Sequence, residues 1–239
     1  MRIELDTLWH TDGRGRLTQA RDRTQTKAPH LVIATAMDGN AVALGADVPD
    51  AIAAEIHDLA AAGCHPGDPA APPSTLDRCA RLLERAVGAV ELTSGPSYLI
   101  PDGTTFDCSV CIRTSSDGHN EDLRPLNPPA ASWEPGEWDD LLDGDLGPWA
   151  MATAGGRIVS ICHAARLTAR AAEAGVWTAP DHRGRGYAAG VTAAWSALFP
   201  VGERHLFYST SSANTSSQQV AARLNLRPIG WTWRLSSSA

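Results

Sequence analysis

The chain has 239 residues, 43% of them hydrophobic, and a formal net charge of -7. That is enough bulk for one large or two small globular domains, and too acidic an average for general nucleic-acid binding. No run approaches the length of about 18 apolar residues, and no charged leader opens the chain, so neither a membrane span nor a signal peptide is expected. The five cysteines are an odd and scattered set, which suits reduced thiols and a cytoplasmic location rather than a disulfide frame.

Residues 1–28 are polar, with little periodicity after Leu8-Trp9, which predicts a loosely ordered lead-in. His30 to Ala36 reads as a strand, Asp38-Gly39-Asn40 as a turn and Ala41 to Leu44 as the hairpin partner. Pro49 to Ala62 reads as a helix with Ile52, Ile56 and Leu59 on one face. The proline-rich stretch from Gly63 to Pro73 reads as a loop. Ser74 then caps a second helix to Val87 with Leu76, Leu82 and Leu83 inward. Tyr98 to Ile100 and Thr105 to Ile112, around Pro101-Asp102-Gly103, read as a second hairpin, and Thr114 to Asn120 as a linker. Residues 1–120 thus read as a small α+β domain of unassigned role. Its one suggestive pattern is Cys108-Ser109-Val110-Cys111. No second ligand pair accompanies it, and in a strand the two cysteines point to opposite faces, so small buried hydrophobes are the better reading and no metal is expected.

The second half begins with Asp122 to Leu126 as a short strand and Pro135 to Leu142 as a short helix with Trp138 inward. Trp149 to Thr153 and Arg157 to Leu167 read as strands joined at Ala154-Gly155-Gly156, and Ala171 to Thr178 as a further antiparallel strand. A glycine loop, a helix to Phe199, the strand His205 to Thr210, a helix opened by Asn214 and running to Leu224, and a last strand from Gly230 to Leu235 complete the chain. Trp231 and Trp233 share a face of that last strand and suit core or dimer packing better than base stacking. Charge is uneven: residues 121–146 carry Glu121, Asp122, Glu134, Glu137, Asp139, Asp140, Asp143 and Asp145 against Arg124. From 147 onward nine arginines face only Glu173, Asp181 and Glu203. A basic segment suits an anionic cofactor, and an acidic flank a cationic substrate.

The densest run of constrained backbone is Val176-Trp177-Thr178-Ala179-Pro180-Asp181-His182-Arg183-Gly184-Arg185-Gly186-Tyr187-Ala188-Ala189. It reads as a strand closed by Pro180, then a turn, then a helix start. Gly184 and Gly186 permit dihedrals closed to other residues, so successive N–H groups can converge on one anion. The helix that follows offers its own unpaired N–H groups and positive dipole end to the same point. Arg183 and Arg185 add charge-assisted donors. A P-loop is excluded because it needs a Lys before Ser or Thr and the chain's one Lys is Lys27, and a G-x-G-x-x-G loop because Ala189 stands where the last glycine would be.

Arg183-x-x-Gly186-x-Ala188 resembles the (Gln/Arg)-x-x-Gly-x-(Gly/Ala) loop with which the GNAT N-acetyltransferases hold the pyrophosphate of acetyl-CoA. Leu123-Arg124-Pro125-Leu126 is similar to that family's opening strand, and Asn214-x-x-Ser217-x-x-Val220-Ala221-x-Arg223-Leu224-Asn225-Leu226 to its second CoA-contacting segment. The resemblance covers residues 121–239. It implies an α+β fold: a C-terminal GNAT domain with a mixed, mostly antiparallel, splayed sheet flanked by helices, beside a smaller N-terminal α+β domain. It further implies an acetyl-CoA-dependent N-acetyltransferase acting on a primary amine of a small molecule or peptide, with acetyl-CoA as co-substrate, no metal, no nucleic-acid or membrane partner, and a homodimer as one arrangement of the family. The cofactor would meet the backbone of Val176, Trp177 and Thr178, the loop from Arg183 through Gly184, Arg185, Gly186, Tyr187 and Ala188, and the side chains of Asn214 and Ser217.

For the chemistry, Glu173 matches the acid that serves the family as general base, usually through water; a solvated glutamate at a strand end is the alternative. Many relatives carry a Tyr as general acid where this chain has Ala221. Water, Tyr208 from the neighbouring strand, or the low basicity of a thiolate remain as substitutes, and Tyr208 is equally readable as groove lining. Asn225 replaces the usual Gly, which Asn tolerates at a helix end. The missing Tyr keeps a second reading open, a non-catalytic acyl-CoA-binding regulatory module.

Overall fold

A computed structural model describes residues 1–37, 39–62, 68–118, 120–126 and 136–238. In chain order the elements begin α1 (Arg2–Leu8), β1 (Trp9–Thr11), β2 (Leu17–Ala20), β3 (Leu31–Ala36), β4 (Gly39–Leu44), α2 (Asp50–Ala62), α3 (Leu76–Val87) and β5 (Val90–Leu99). They continue β6 (Ile112–Thr114), α4 (Glu137–Asp143), β7 (Trp149–Ala154), β8 (Arg157–Leu167) and β9 (Ala171–Thr178). A 3₁₀ turn at Pro180–His182 leads to α5 (Tyr187–Ser196), β10 (His205–Ser209), α6 (Thr215–Arg223) and β11 (Arg227–Ser237). The chain forms two compact units, one of residues 1–98, 209–215 and 228–239, the other of 99–208 and 216–227.

In the first unit the strands run in the order β4-β3-β11-β5. β11 is antiparallel to β3, with Trp231 opposite Thr35 and Leu235 opposite Leu31. The period of two divides β3 between two cores. Leu31 and Ile33 pack with Ile56, Leu76, Leu83 and Trp233 under α2 and α3, while Val32 and Ala34 pack with Leu5, Leu8 and Trp9. The predicted lead-in is therefore ordered structure: the apolar residues of α1 and its following strand cover the back of the sheet, and their charged neighbours hide that pattern in the sequence.

Three further expectations fail for physical reasons. The expected second hairpin is instead one ten-residue strand, β5, and residues 104–111 form no strand. The helix from 76 is preceded by Thr75 with no side-chain cap, so Ser74 does not cap it. Residues 122–126 form turns rather than a strand: Pro125 has no N–H to give a ladder, and Arg124 reaches α4 instead, bonding Asp139 at 2.7 Å and Asp143 at 2.5 Å. Asp38 of the expected turn and Gly63 to Gly67 of the expected loop lie outside the described residues, whereas the two helices that follow the first hairpin stand as read.

The second unit is a mixed, mostly antiparallel sheet in the order β10-β9-β8-β7-β6, the fold class read from the sequence. Only β10 with β9 is parallel. Adjacent residues of β8 serve opposite faces: Ile161 joins Trp138, Leu141, Trp149 and Met151 under α4, while Cys162 meets Thr192 of α5. α5 is apolar nearly all round, with Val191 and Trp195 fully buried, as expected of a helix covered on most sides. Its Trp195 indole donates to Pro148 O at 3.0 Å, which fixes it at the entry to β7.

Candidate functional site

The site forms where β9 leaves its neighbour. β9 is paired to β8 along its length, from Leu167–Ala172 to Ser160–Thr178, but to β10 only over Ala171, Ala172 and Glu173. Burial changes at the same residue: Ala171 to Glu173 are buried, Ala174 to Thr178 half-buried. On the β10 side, the backbone of Val176, Trp177 and Thr178 thus runs outside the ladder, where a ligand that supplies hydrogen bonds is favoured over dry burial. Ser160 Oγ steadies the end of the strand, donating to Trp177 O at 3.0 Å and meeting Thr178 Oγ1 at 2.7 Å.

Beyond the strand the chain makes the expected turn. Gly184 and Gly186 have φ of 79° and 85°, the left-handed region that favours glycine. Gly186 is the N-cap of α5, and its carbonyl accepts the first helical bond from Gly190 N at 3.0 Å. A Cβ at Gly184 would meet nothing within 4 Å, so the loop is open on that side, whereas a Cβ at Gly186 would come 3.1 Å from the ring of Phe106. Arg183 Nε donates to Thr178 O at 3.4 Å and an Arg185 guanidinium N–H to Asp181 O at 3.2 Å. Both arginines, expected as ligand donors, also brace the turn. Tyr187 is buried at the helix start while Ala188 is half-buried. His182 hydrogen-bonds Asp181, which holds that carboxyl below its ordinary range with help from Arg157.

At the root of the divergence lies Glu173, opposite Phe207 on β10. It is 4% exposed and its Oε2 accepts from Arg166 at 2.5 Å. A β-bulge at Ala165 makes this pair: the β8–β9 register shifts between Ala164 and Arg166, which brings Arg166 directly opposite Glu173. The solvated strand-end alternative is thereby corrected, since the carboxylate is buried and paired. Tyr208 is 3% exposed, and its hydroxyl meets Ser217 Oγ at 2.7 Å, so two separately chosen residues are brought together. Ala221 is buried. Asn225 has φ of 49°, and the bonds Asn225 N to Ala222 O and Leu226 N to Ala221 O, both 3.0 Å, form a Schellman ending of α6. Asn214 stands just ahead of that helix, its N–H donating to Ser211 O.

Sequence reasoning missed His163, which lies opposite Gly175 and is half-buried. Burial pushes its imidazole pKa down to about 4, and pushes the neighbouring Cys162 thiol up. The available signal was Gly175 itself, since a glycine inside a strand marks close approach of another group. The Cys108-x-x-Cys111 pair is not in a strand. Cys108 packs toward Gly190 of α5 and Cys111 is exposed, so they are not the pair of buried hydrophobes expected. Among the described residues no cluster of three His, Cys, Asp or Glu could hold a metal ion, and no helix is long and apolar enough to cross a membrane.

A strand that parts from its neighbour at mid-length, then a glycine turn, then a helix N-terminus follow one another in an α+β fold. Residues 123–227 match the model of the acetyltransferase (GNAT) domain. Among solved structures it is similar to a GCN5-related N-acetyltransferase from Sphaerobacter thermophilus, at 18% identity over 68% of this chain and 56% of that one, TM-score 0.47. It is also similar to a GCN5-related N-acetyltransferase-like protein from Streptococcus suis, at 17% identity over 66% and 67%, TM-score 0.44. A GCN5-related N-acetyltransferase from Kribbella flavida aligns at 16% identity over 67% and 63%, TM-score 0.43. The chain thus spans about two thirds of the length of such structures or less. No curated protein matches it.

Proposed function

We propose that the chain is an acetyl-CoA-dependent N-acetyltransferase that acetylates a primary amine of a small molecule or peptide. The observation that carries this reading is the end of β9–β10 pairing at Glu173, five residues ahead of the end of β9, from which the chain runs into the Gly184–Gly186 turn and α5. When bound, acetyl-CoA supplies an activated acetyl thioester. The residues present fit such a molecule: the N–H groups of the turn and of the first turn of α5 suit a pyrophosphate, and the backbone of Val176 to Thr178 suits an amide-bearing arm. Glu173 accepts the amine proton through water, and the Tyr208 hydroxyl, poised by Ser217, lies in the right part of the unit to return one to a leaving thiolate. A cytoplasmic site of action and a homodimer belong to the same reading.

A second reading, a non-catalytic acyl-CoA-binding module, draws on the Glu173–Arg166 pair and the buried Ala221, which leave no free carboxylate and no Tyr in their usual places. Calorimetric titration of acetyl-CoA, with CoA and ATP as comparisons, into the wild type and Gly186→Trp tests both, followed by thiol release over a panel of amines. Acetyl-CoA binding that the Trp abolishes, with Glu173-dependent thiol release, supports the enzyme. Binding without turnover supports the module, and no binding by folded protein overturns both.

A further inference from the structure

Gly175 is the first residue of its sheet face beyond the point where β9 leaves β10, and the space its side chain would fill is taken. A Cβ there would lie 2.7 Å from His163 Nε2 and 3.0 Å from His163 Cδ2. His163 is Gly175's direct partner in the ladder, so the imidazole reaches across its own strand pair and lies on the stretch that runs outside the ladder. Glu173, two positions earlier and about 7 Å away along the strand, is on the same face but held by Arg166.

We infer that His163 is a catalytic residue of this site: it takes the proton from the acceptor amine directly and hands it on through water to Glu173, with Gly175 kept small to admit its ring. The inference rests on the acetyltransferase reading. As the amine nitrogen forms its bond to the acyl carbon, its N–H becomes acidic; the proton passes to His163 Nε2, the C–S bond breaks, and the thiolate leaves to be protonated. The imidazole, its pKa pushed down to about 4 by partial burial, enters the cycle neutral, which is the form that accepts. Among the described residues the charged groups on its sheet face include Glu173 and Arg166, and Arg113 of β6, which lies opposite Met151 and is engaged by Asp122. β7 presents Trp149 and Met151 there, and α4 presents Trp138 and Leu141, while its Asp139 and Asp143 are engaged by Arg124.

The test compares wild type, His163→Gln, His163→Ala and Gly175→Ala by acetyl-CoA calorimetry and by steady-state kinetics against pH on whichever amine the wild type accepts. Expected are acetyl-CoA affinities within about twofold of wild type, kcat lower by about 10²–10³-fold in all three variants, and loss of one limb of the kcat–pH profile. Added imidazole should restore turnover to His163→Ala but not to His163→Gln. A kcat within about threefold of wild type with an unchanged profile overturns the inference, as does a fall in kcat that tracks a loss of melting temperature and is not rescued. Should His163→Ala fail to fold, His163→Gln and Gly175→Ala decide alone. A wild type that neither binds nor turns over acetyl-CoA overturns the underlying reading and takes this inference with it, a result distinct from a wild type that is active and indifferent to His163.

Discussion

Arg166 and Glu173 are an unequal pair, with side chains 23% and 6% exposed. Removing the more exposed cation strands the buried anion, whereas neutralising the anion leaves a guanidinium that can turn to water. Arg166→Met should therefore cost about 3–5 kcal/mol in urea unfolding, and Glu173→Gln, which keeps a hydrogen-bonding group, only about 1–2 kcal/mol; equal costs would mean the pair is not held as described. His163 supplies the pH counterpart. Its pKa falls from an ordinary 6.5 to about 4 on folding, so the folded state favours the neutral ring. The stability this confers is fully present above pH 6.5 and is lost as pH falls toward 4, by up to about 3 kcal/mol. His163→Gln removes that dependence, so the difference between the wild-type and variant stability curves should change across that window and stay flat above it. Of these residues Glu173 was legible, because it is the one carboxylate near the strand start. Arg166 was not, because the bulge at Ala165 that aims it leaves no mark in an Ala-Ala-Arg stretch.

Strands β7 to β9 and the helix after the glycine turn were legible because their apolar runs are bounded by unambiguous breakers: Gly155-Gly156, Pro180, and the glycines at 184 and 186. Residues 105–112 misled because Phe106, Cys108 and Val110 alternate as a strand would, yet Phe106 packs at Gly186 and Cys108 at Gly190, the two glycines of one helix start. The strand read from Tyr98 is only the end of β5, because Gly and Pro, which stand at 95 and 96, ordinarily interrupt a strand pattern; Gly95 is instead a place where Thr210 O presses too close for any side chain. The end of α6 was read correctly from one residue. Asn225, at φ of 49°, bears a left-handed turn that costs a β-carbon-bearing residue about 1 kcal/mol. Asn225→Gly should raise the melting temperature or leave it unchanged, and Asn225→Ala should lower stability by about 1 kcal/mol. An Ala variant as stable as wild type would mean the Schellman ending does not form.

At the scale of the molecule, chain order and spatial order part company in the first unit. The sheet order β4-β3-β11-β5 places the last strand of the chain between two strands of its first hundred residues, a long-range pairing that no local pattern announces. Leu235 and Trp233 belong to the same core as Ile33 and Ile56. The strand's far end is fixed as well: His30 N donates to Leu235 O at 2.9 Å, and the His30 ring bridges Ser237 Oγ and Asp47 Oδ2, each at 3.0 Å. A chain ending at Leu226 therefore lacks the centre of that sheet, with the inner edges of β3 and β5 unpaired and one core open to water. Hydrogen exchange should show the amides of Leu31 to Ala36 losing most of their protection in this truncation, and those of β7 and β8, paired within the second unit, keeping theirs. Residues 1–120 expressed alone should fail to fold for the same reason. Retained protection in β3 would mean that β11 is dispensable to the unit.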